Sequence, residues 1–258
     1  MNNIIHTKAL ILDVPICGIS LKDFLDVSIK AIFDRRKTLF TTINTYSIIL
    51  AQKNKEFLNH FKTVDYVLPD GIGIVWAIRS LGKECKERVS GPDFTNALLE
   101  RANEHRFSIY FLGSTEVNLN KIISNIKIKY PSVRIAGSYS PPFVAIDEMD
   151  NEGIVDRINN SGADILLVGM TAPKQELFLS RNYEALNVPF MIGVGAAFDY
   201  LAGVKEQCPE IIGKMGLEWL YRLVTSPRHV WKREISIPIF VYYFFTRQFF
   251  ASKKIVNH

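Results

Sequence analysis

Six short runs rich in β-branched and aromatic residues recur along the chain, at LFTTIN (39–44), YVLPDG (66–71), SIYFLG (108–113), VRIAGSY (133–139), DILLVGM (164–170) and FMIGVG (190–195). Each is short and apolar enough to be a strand buried on both faces. Between them lie longer segments, 45–61, 92–104, 115–130 and 173–186, with apolar residues at three- and four-residue spacing, as in Ile122, Ile123 and Ile126. Strands alternating with helices imply βαβ units, so the expected fold is α/β, a Rossmann-like, mostly parallel sheet with helices on both faces. Collagen, coiled coil and disorder are excluded, because 48% hydrophobic and only 22% charged residues supply a substantial core.

The charge is divided unevenly. The net charge of +5 falls on residues 205–258, where nine basic groups oppose four acidic ones, while residues 1–204 are neutral overall. We therefore expect a Rossmann-like domain over 1–204 and a C-terminal helical appendage over 205–258, with 209–232 helical. The appendage carries ISIPIFVYYFF (235–245), flanked by Trp231, Lys232, Arg233 and Arg247. A spanning helix needs about 20 apolar residues, and this run is about half that length with Pro238 inside it. Basic and aromatic residues together fit the surface of a membrane; the alternative is that these aromatics dock into the protein's own core or a subunit interface. Nucleic acid is not an expected partner, because Ile and Phe at this density need an apolar one. Cys17, Cys85 and Cys208 are odd in number and far apart, which argues against a disulfide scaffold or a zinc site. The amino-terminal MNNIIHTKALILD has no basic stretch followed by a long apolar run, so no secretory leader is expected.

Polar residues and glycines follow the carboxyl ends of the expected strands: Asn44, Asp70 with Gly71, Gly113 with Ser114, Gly169 with Gln175, and Gly195. In open α/β sheets ligands bind in the crevice outside those ends, so the five loops are expected to face one site. Taken singly, each reads equally as turn chemistry or helix capping. Gly193, Val194 and Gly195 begin a dinucleotide-binding fingerprint, but Phe198 stands where a third glycine or alanine belongs, and we read the glycines as tight backbone packing. His60, His105 and His229 are isolated, each a surface or structural residue.

Six further motifs occur in order: T-I-N (42–44), L-P-D-G-I-G (68–73), E-R-V-S-G-P-D (87–93), P-K-Q-E (173–176), G-A-A-F-D-Y-L-A-G (195–203) and G-L-E-W-L-Y-R-L (216–223). With them the chain resembles the WecG/TagA/CpsF glycosyltransferases over about residues 10–235. The resemblance implies transfer of a sugar, often of N-acetylmannosamine type, from UDP to N-acetylglucosamine on an undecaprenyl diphosphate carrier during synthesis of a bacterial surface polysaccharide. It also implies work on the cytoplasmic membrane face as a peripheral protein, and leaves a homo-oligomer open. Two positions depart from the family pattern: Gln207, Cys208 and Pro209 replace an Arg-Ala-Pro, and Thr171 replaces a glycine.

Inverting transfer from a nucleotide sugar needs a base for the acceptor hydroxyl and groups that stabilise the departing diphosphate. Asp70 is the candidate base, since Gly71 lets the backbone turn tightly toward a ligand and the resemblance places a catalytic carboxylate here; on local sequence it also reads as the cap of a helix from Ile72. Asp93 is a second carboxylate, equally readable as part of a helix start beside Pro92. The chain has no Asp-X-Asp motif, so metal independence is expected, with no cofactor, and Arg88, Lys174 and Gln175 are the candidates to hold the diphosphate. Thr42 and Asn44 offer hydrogen bonds to donor or acceptor hydroxyls. Gly113 and Ser114 lead into a helix start that attracts phosphate. Arg222, Arg228, Lys232 and Arg233 are candidates for the acceptor diphosphate or the membrane. Rival readings are a nicotinamide-dependent oxidoreductase and a non-catalytic, nucleotide-responsive membrane adaptor.

Overall fold

A computed structural model describes residues 8–206 and 235–249, together with 208, 220, 221 and 224. The first element is a hairpin, β1 (Lys8–Ile11) against β2 (Val14–Cys17), closed by Leu12 and Asp13, both at positive φ. Helix α1 (Leu21–Phe33) follows, started by a capping box in which Ser20 and Asp23 satisfy each other's backbone N–H. Neither was expected from the sequence pattern, and nor was α7 (Asn151–Asn160).

All six expected strands form, and they make one parallel sheet: β3 (Thr38–Ile43), β4 (Tyr66–Pro69), β5 (Ser108–Gly113), β6 (Arg134–Tyr139), β7 (Ile165–Gly169) and β8 (Phe190–Gly193), in the order β4-β3-β8-β7-β5-β6. Side chains alternate along each strand, so two cores form. Leu39, Ile43, Leu112, Val168 and Met191 face one core with α2 (Thr45–Ala51), α3 (Lys55–Thr63), α4 (Ile72–Ser80), α7, α8 (Lys174–Arg181) and the hairpin. Phe40, Phe111, Leu167, Phe190 and Ile192 face the other with α1, α5 (Gly91–His105), α6 (Glu116–Lys129) and α9 (Ala197–Leu201). The helix expected over 45–61 is two helices, because the Asn54 side chain accepts from Phe57 N at 3.0 Å and starts α3 afresh.

Connections leave β5 and β7 toward opposite faces, α6 on one side and α8 on the other, which opens a crevice between these neighbouring strands at their carboxyl ends. The tail returns to the domain as α10 (Ser236–Tyr243), which runs into a π-helical turn, Phe244–Phe249. Phe240 and Phe244 are buried in the same core as α2, α4 and the hairpin. Gln248 ties the turn down: its Oε1 accepts from Leu12 N at 2.7 Å and its Nε2 donates to Leu10 O at 2.9 Å. Ile235, Ile239 and Tyr242 on the same segment remain exposed, as do Ile72 and Trp76 of α4, and the Trp76 ring lies 5.6 Å from that of Phe244. The aromatic run thus divides, part of it docking on the protein and part facing outward. Among the described residues no helix is long and apolar enough to cross a membrane.

Candidate active site

The rim at the carboxyl ends of the strands is assembled by backbone hydrogen bonds between successive loops. Asp70 N donates to Ile43 O at 2.9 Å, continuing the β3–β4 ladder by one residue and setting Asp70 beside the end of β3. Gly71 then takes φ 109° and is itself the cap residue of α4, with no side-chain cap bond. A residue with a Cβ would be strained there. The Asp70 carboxylate is therefore not the cap of α4, and the capping alternative open in the sequence is not the one this fold uses.

The segment after α4 runs back along β4, with Val89 N donating to Pro69 O at 2.9 Å, which brings Arg88 to the rim. Ser90 caps α5 by accepting from Asp93 N at 3.2 Å, and its hydroxyl donates to Asp93 Oδ2 at 2.6 Å. The same Oδ2 accepts from Arg88 Nη2 at 3.0 Å. Asp93 thus belongs to a helix start, as its sequence context allowed, and in that position it orients Arg88. The start of α5 lies beside the ends of β8 and β3: a Cβ on Gly91 would stand 3.4 Å from Val194 O and 3.9 Å from Thr42 Cγ2, at ordinary contact distance. Thr42, Asn44, Asp70, Arg88 and Asp93 are accordingly gathered at the β4-β3 end of the rim. Asn44 Oδ1 is engaged as the cap of α2, accepting from Ser47 N at 3.0 Å.

The other expected residues gather at the β5–β7 crevice. Gly113 has φ 112°, and a Cβ on it would lie 2.5 Å from Gly169 O, so only glycine lets these strands meet. Ser114, at φ 58°, donates its N–H to Gly169 O at 3.1 Å, and its hydroxyl accepts from Asn118 Nδ2 at 3.3 Å. Lys174 Nζ donates to Val144 O at 2.7 Å, and burial holds its pKa below the ordinary lysine value. Gln175 is buried and turned inward: its Oε1 accepts from Met170 N at 3.3 Å and Gly195 N at 3.0 Å, and its Nε2 donates to Glu176 Oε1 at 2.8 Å. Room for it comes from Gly193, where a Cβ would stand 2.9 Å from Gln175 Nε2. Gly169 similarly accommodates Phe198. The glycines that looked like part of a dinucleotide fingerprint serve packing.

Glu176 and Ser90 were not singled out from sequence. Ser90 had a signal, the S-x-x-D box that starts α5; Glu176 had one in a carboxylate standing directly before the apolar Leu177 and Phe178. His60 is structural rather than on the surface, its Nδ1 2.6 Å from Ser180 Oγ, and burial pushes its pKa down to about 3. Arg222, Arg228, Lys232 and Arg233, and all but 220, 221 and 224 of the expected helical stretch 209–232, lie outside the described residues. No group of three or more His, Cys, Asp or Glu is arranged to hold a metal among the described residues. A groove of about 380 Å³ between α5, α6 and α9 is lined by Asn96, Asn125, Lys129 and Tyr200, offers no carboxylate, and lies apart from the strand ends.

What this arrangement can do chemically is place a carboxylate and a guanidinium at the β4-β3 end of the rim, with glycine backbone and Lys174 at its β5–β7 end. Comparison with known proteins bears on that chemistry. The Glycosyl transferase WecG/TagA/CpsF family profile matches residues 9–254. An N-acetylglucosaminyldiphosphoundecaprenol N-acetyl-beta-D-mannosaminyltransferase of Bacillus subtilis is 29% identical over 227 residues, 88% of this chain and 86% of the relative. A protein of the same name from Bacillus spizizenii is 28% identical over 228 residues, 85% and 86% of the two chains. The Staphylococcus aureus protein of that name is 26% identical over 239 residues, 89% and 91%.

Proposed function

Because the chain belongs to the WecG/TagA/CpsF glycosyltransferase family, we propose that it moves an N-acetylmannosamine-type sugar from UDP to a polyprenyl-diphosphate-linked N-acetylglucosamine, with inversion, in the synthesis of a bacterial surface polysaccharide. The observation that carries the mechanism is Asp70, set at the end of β4 beside the Ile43 carbonyl with its capping role taken by Gly71. Asp70 removes the proton of the acceptor hydroxyl as that oxygen attacks the anomeric carbon. Arg88, held from behind by Asp93, takes up charge on the departing UDP, so the reaction proceeds without a metal. Thr42 and Asn44 orient sugar hydroxyls at the end of β3. Gly113, Ser114 and Lys174 border the diphosphate, and Gln175 shapes the loops from within.

Residues 1–204 serve as the catalytic domain and 205–258 as an appendage that meets the cytoplasmic membrane face. Ile235, Ile239 and Tyr242 are exposed, as are Ile72 and Trp76, which follow Asp70 closely in the chain, and these are the apolar anchors of that face; Arg222, Arg228, Lys232 and Arg233 add attraction to anionic lipid and to the acceptor diphosphate, at roughly 1 kcal/mol per basic residue. A panel of UDP-sugars tested against a short-chain polyprenyl-diphosphate N-acetylglucosamine, with and without chelator, decides the reading. Transfer from UDP-N-acetylmannosamine that survives chelation supports it; a strict manganese or magnesium requirement overturns the role given to Arg88. Flotation of the full chain and of a chain ending at residue 234 with anionic liposomes tests the membrane part, and equal flotation of both would refute it.

A further inference from the structure

Behind the β5–β7 crevice stands a carboxyl group that the reaction as described does not use. Glu176 is 3% exposed and Gln175 4% exposed, both on the first turn of α8 beneath the rim. Glu176 Oε1 accepts from Gln175 Nε2, while Glu176 Oε2 has no hydrogen-bond partner. Gln175 Oε1 in turn accepts two backbone N–H groups, one from each of the loops that follow β7 and β8. Thr41, the register partner of Gly193 on the adjacent strand, carries a buried hydroxyl that likewise has no hydrogen-bond partner.

The chemistry of this chain has a direction. A glutamine amide is nearly symmetric in shape, and its two ends differ only in that one donates and the other accepts. Turned over, Gln175 would set its NH₂ group against the Met170 and Gly195 N–H donors and leave both amides, buried at Met170 and half-buried at Gly195, without that acceptor. An oxygen acceptor at Glu176 prevents this, because it demands the NH₂ end. Unlike a solvated carboxylate, a fully buried one with a single donor favours its protonated form, in which Oε2 carries the proton and Oε1 remains the acceptor.

We propose that Glu176 is a positioning residue for the transfer: by fixing which way Gln175 points, it locks the loops after β7 and β8 in the spacing that the donor diphosphate requires. The inference rests on the transferase reading above, and no contact of Glu176 with substrate is involved. Loop displacement of about 1 Å at a reacting site is enough to cost 10²-fold in rate, so an effect through two hydrogen bonds is large enough to measure.

The test is a double-mutant cycle on the full chain, combining Glu176→Leu with Gln175→Leu, read by donor KM and kcat and by amide hydrogen exchange. Glu176→Leu is expected to lower kcat/KM at least tenfold and to speed exchange in peptides containing Met170 and Gly195, with β5 and α3 peptides unchanged. Glu176→Gln, which restores an acceptor oxygen, should recover most of the lost activity and protection. In the Gln175→Leu background, Glu176→Leu should add less than a twofold effect, since the residue it acts through is gone. Independent, multiplying effects would overturn the proposal, and so would unchanged exchange at Met170 and Gly195. Should Glu176→Leu fail to fold, Glu176→Asp, which withdraws the acceptor by one methylene, is read in the same cycle. Because exchange needs no turnover, absence of transfer by the wild type would count against the transferase reading alone, and the exchange result would still decide the role of Glu176.

Discussion

At the β4-β3 end of the rim, Asp70 and Arg88 are half-buried side chains delivered by backbone bonds, with Asp70 relieved of capping by Gly71. At the β5–β7 end, residues of equally polar or glycine-rich sequence are turned into the structure: Gly113 meets Gly169, Ser114 N binds the Gly169 carbonyl, and Gln175 bonds only inward. Both ends follow the same rule, a polar residue or glycine after a buried strand. They differ in whether the side chain or the backbone faces the crevice. A strand-end polar residue is thus informative about chemistry only once its local bonds are known, and substitutions at the two ends should fail in different ways.

The largest effect is expected at the first end. Asp70→Asn keeps shape and removes the proposed base, and turnover should fall about 10²- to 10⁴-fold, with UDP affinity within a few-fold and thermal stability unchanged. Turnover within threefold of wild type would remove Asp70 from the mechanism. Gly113→Ala at the second end should show the opposite signature. A methyl at φ 112° placed 2.5 Å from a backbone carbonyl cannot relax cheaply, and we expect a loss of about 2–4 kcal/mol in denaturant unfolding, with a raised donor KM and a fall in kcat far smaller than that of Asp70→Asn.

The buried groups sharpen the contrast through pH. Burial pushes the Glu176 carboxyl up from its ordinary 4.5 to about 7. Between those values the folded protein holds a proton that the unfolded chain releases, so this group makes stability fall as pH rises from 4.5 to 7. His60, pushed down from 6.5 to about 3, acts with the opposite sign: its contribution is lost as pH falls from 6.5 toward 3. Urea unfolding of wild type and Glu176→Gln at several pH values separates them. The wild type should lose about 2–3 kcal/mol relative to the variant between pH 4.5 and 7.5, at 1.36 kcal/mol per pH unit. Parallel curves would mean that Glu176 is ionised in the fold.

The sheet was legible because a strand buried on both faces needs a short apolar, β-branched run, and SIYFLG coincides with Ser108–Gly113. The hairpin was not, since its strands are four residues each and its turn uses Leu12 and Asp13 at positive φ in place of a glycine signal. Nor does the chain order reveal that β8 inserts between β3 and β7. Of the candidate site, Asp70 was readable as a carboxylate after a strand and Arg88 only as a cation within the E-R-V-S-G-P-D motif. The inward turn of Gln175 was not, because it depends on a missing Cβ at Gly193, eighteen positions on.

The smallest effect is expected where the two roles meet in one residue, Asp93, which belongs to a helix start and also orients a group at the catalytic end. Its ion pair with Arg88 is 3.0 Å long, with the Asp93 side chain 46% exposed and that of Arg88 21% exposed. Pairs this open to water contribute about 0.2–1 kcal/mol. Asp93→Asn keeps an oxygen for the Ser90 hydroxyl, so the α5 start should survive and stability should fall by less than about 1 kcal/mol. What it removes is the charge that holds the guanidinium in place. Donor KM should therefore rise only about two- to fivefold, with kcat little changed and the effect shrinking in high salt as screening weakens the pair in the wild type as well. Arg88→Ala measured beside it should exceed this several-fold, because it deletes the group proposed to meet the diphosphate rather than the one that steadies it. Equal losses from the two substitutions would place Asp93 itself in contact with substrate, and the boundary drawn between the two ends of the rim would have to move to include the start of α5.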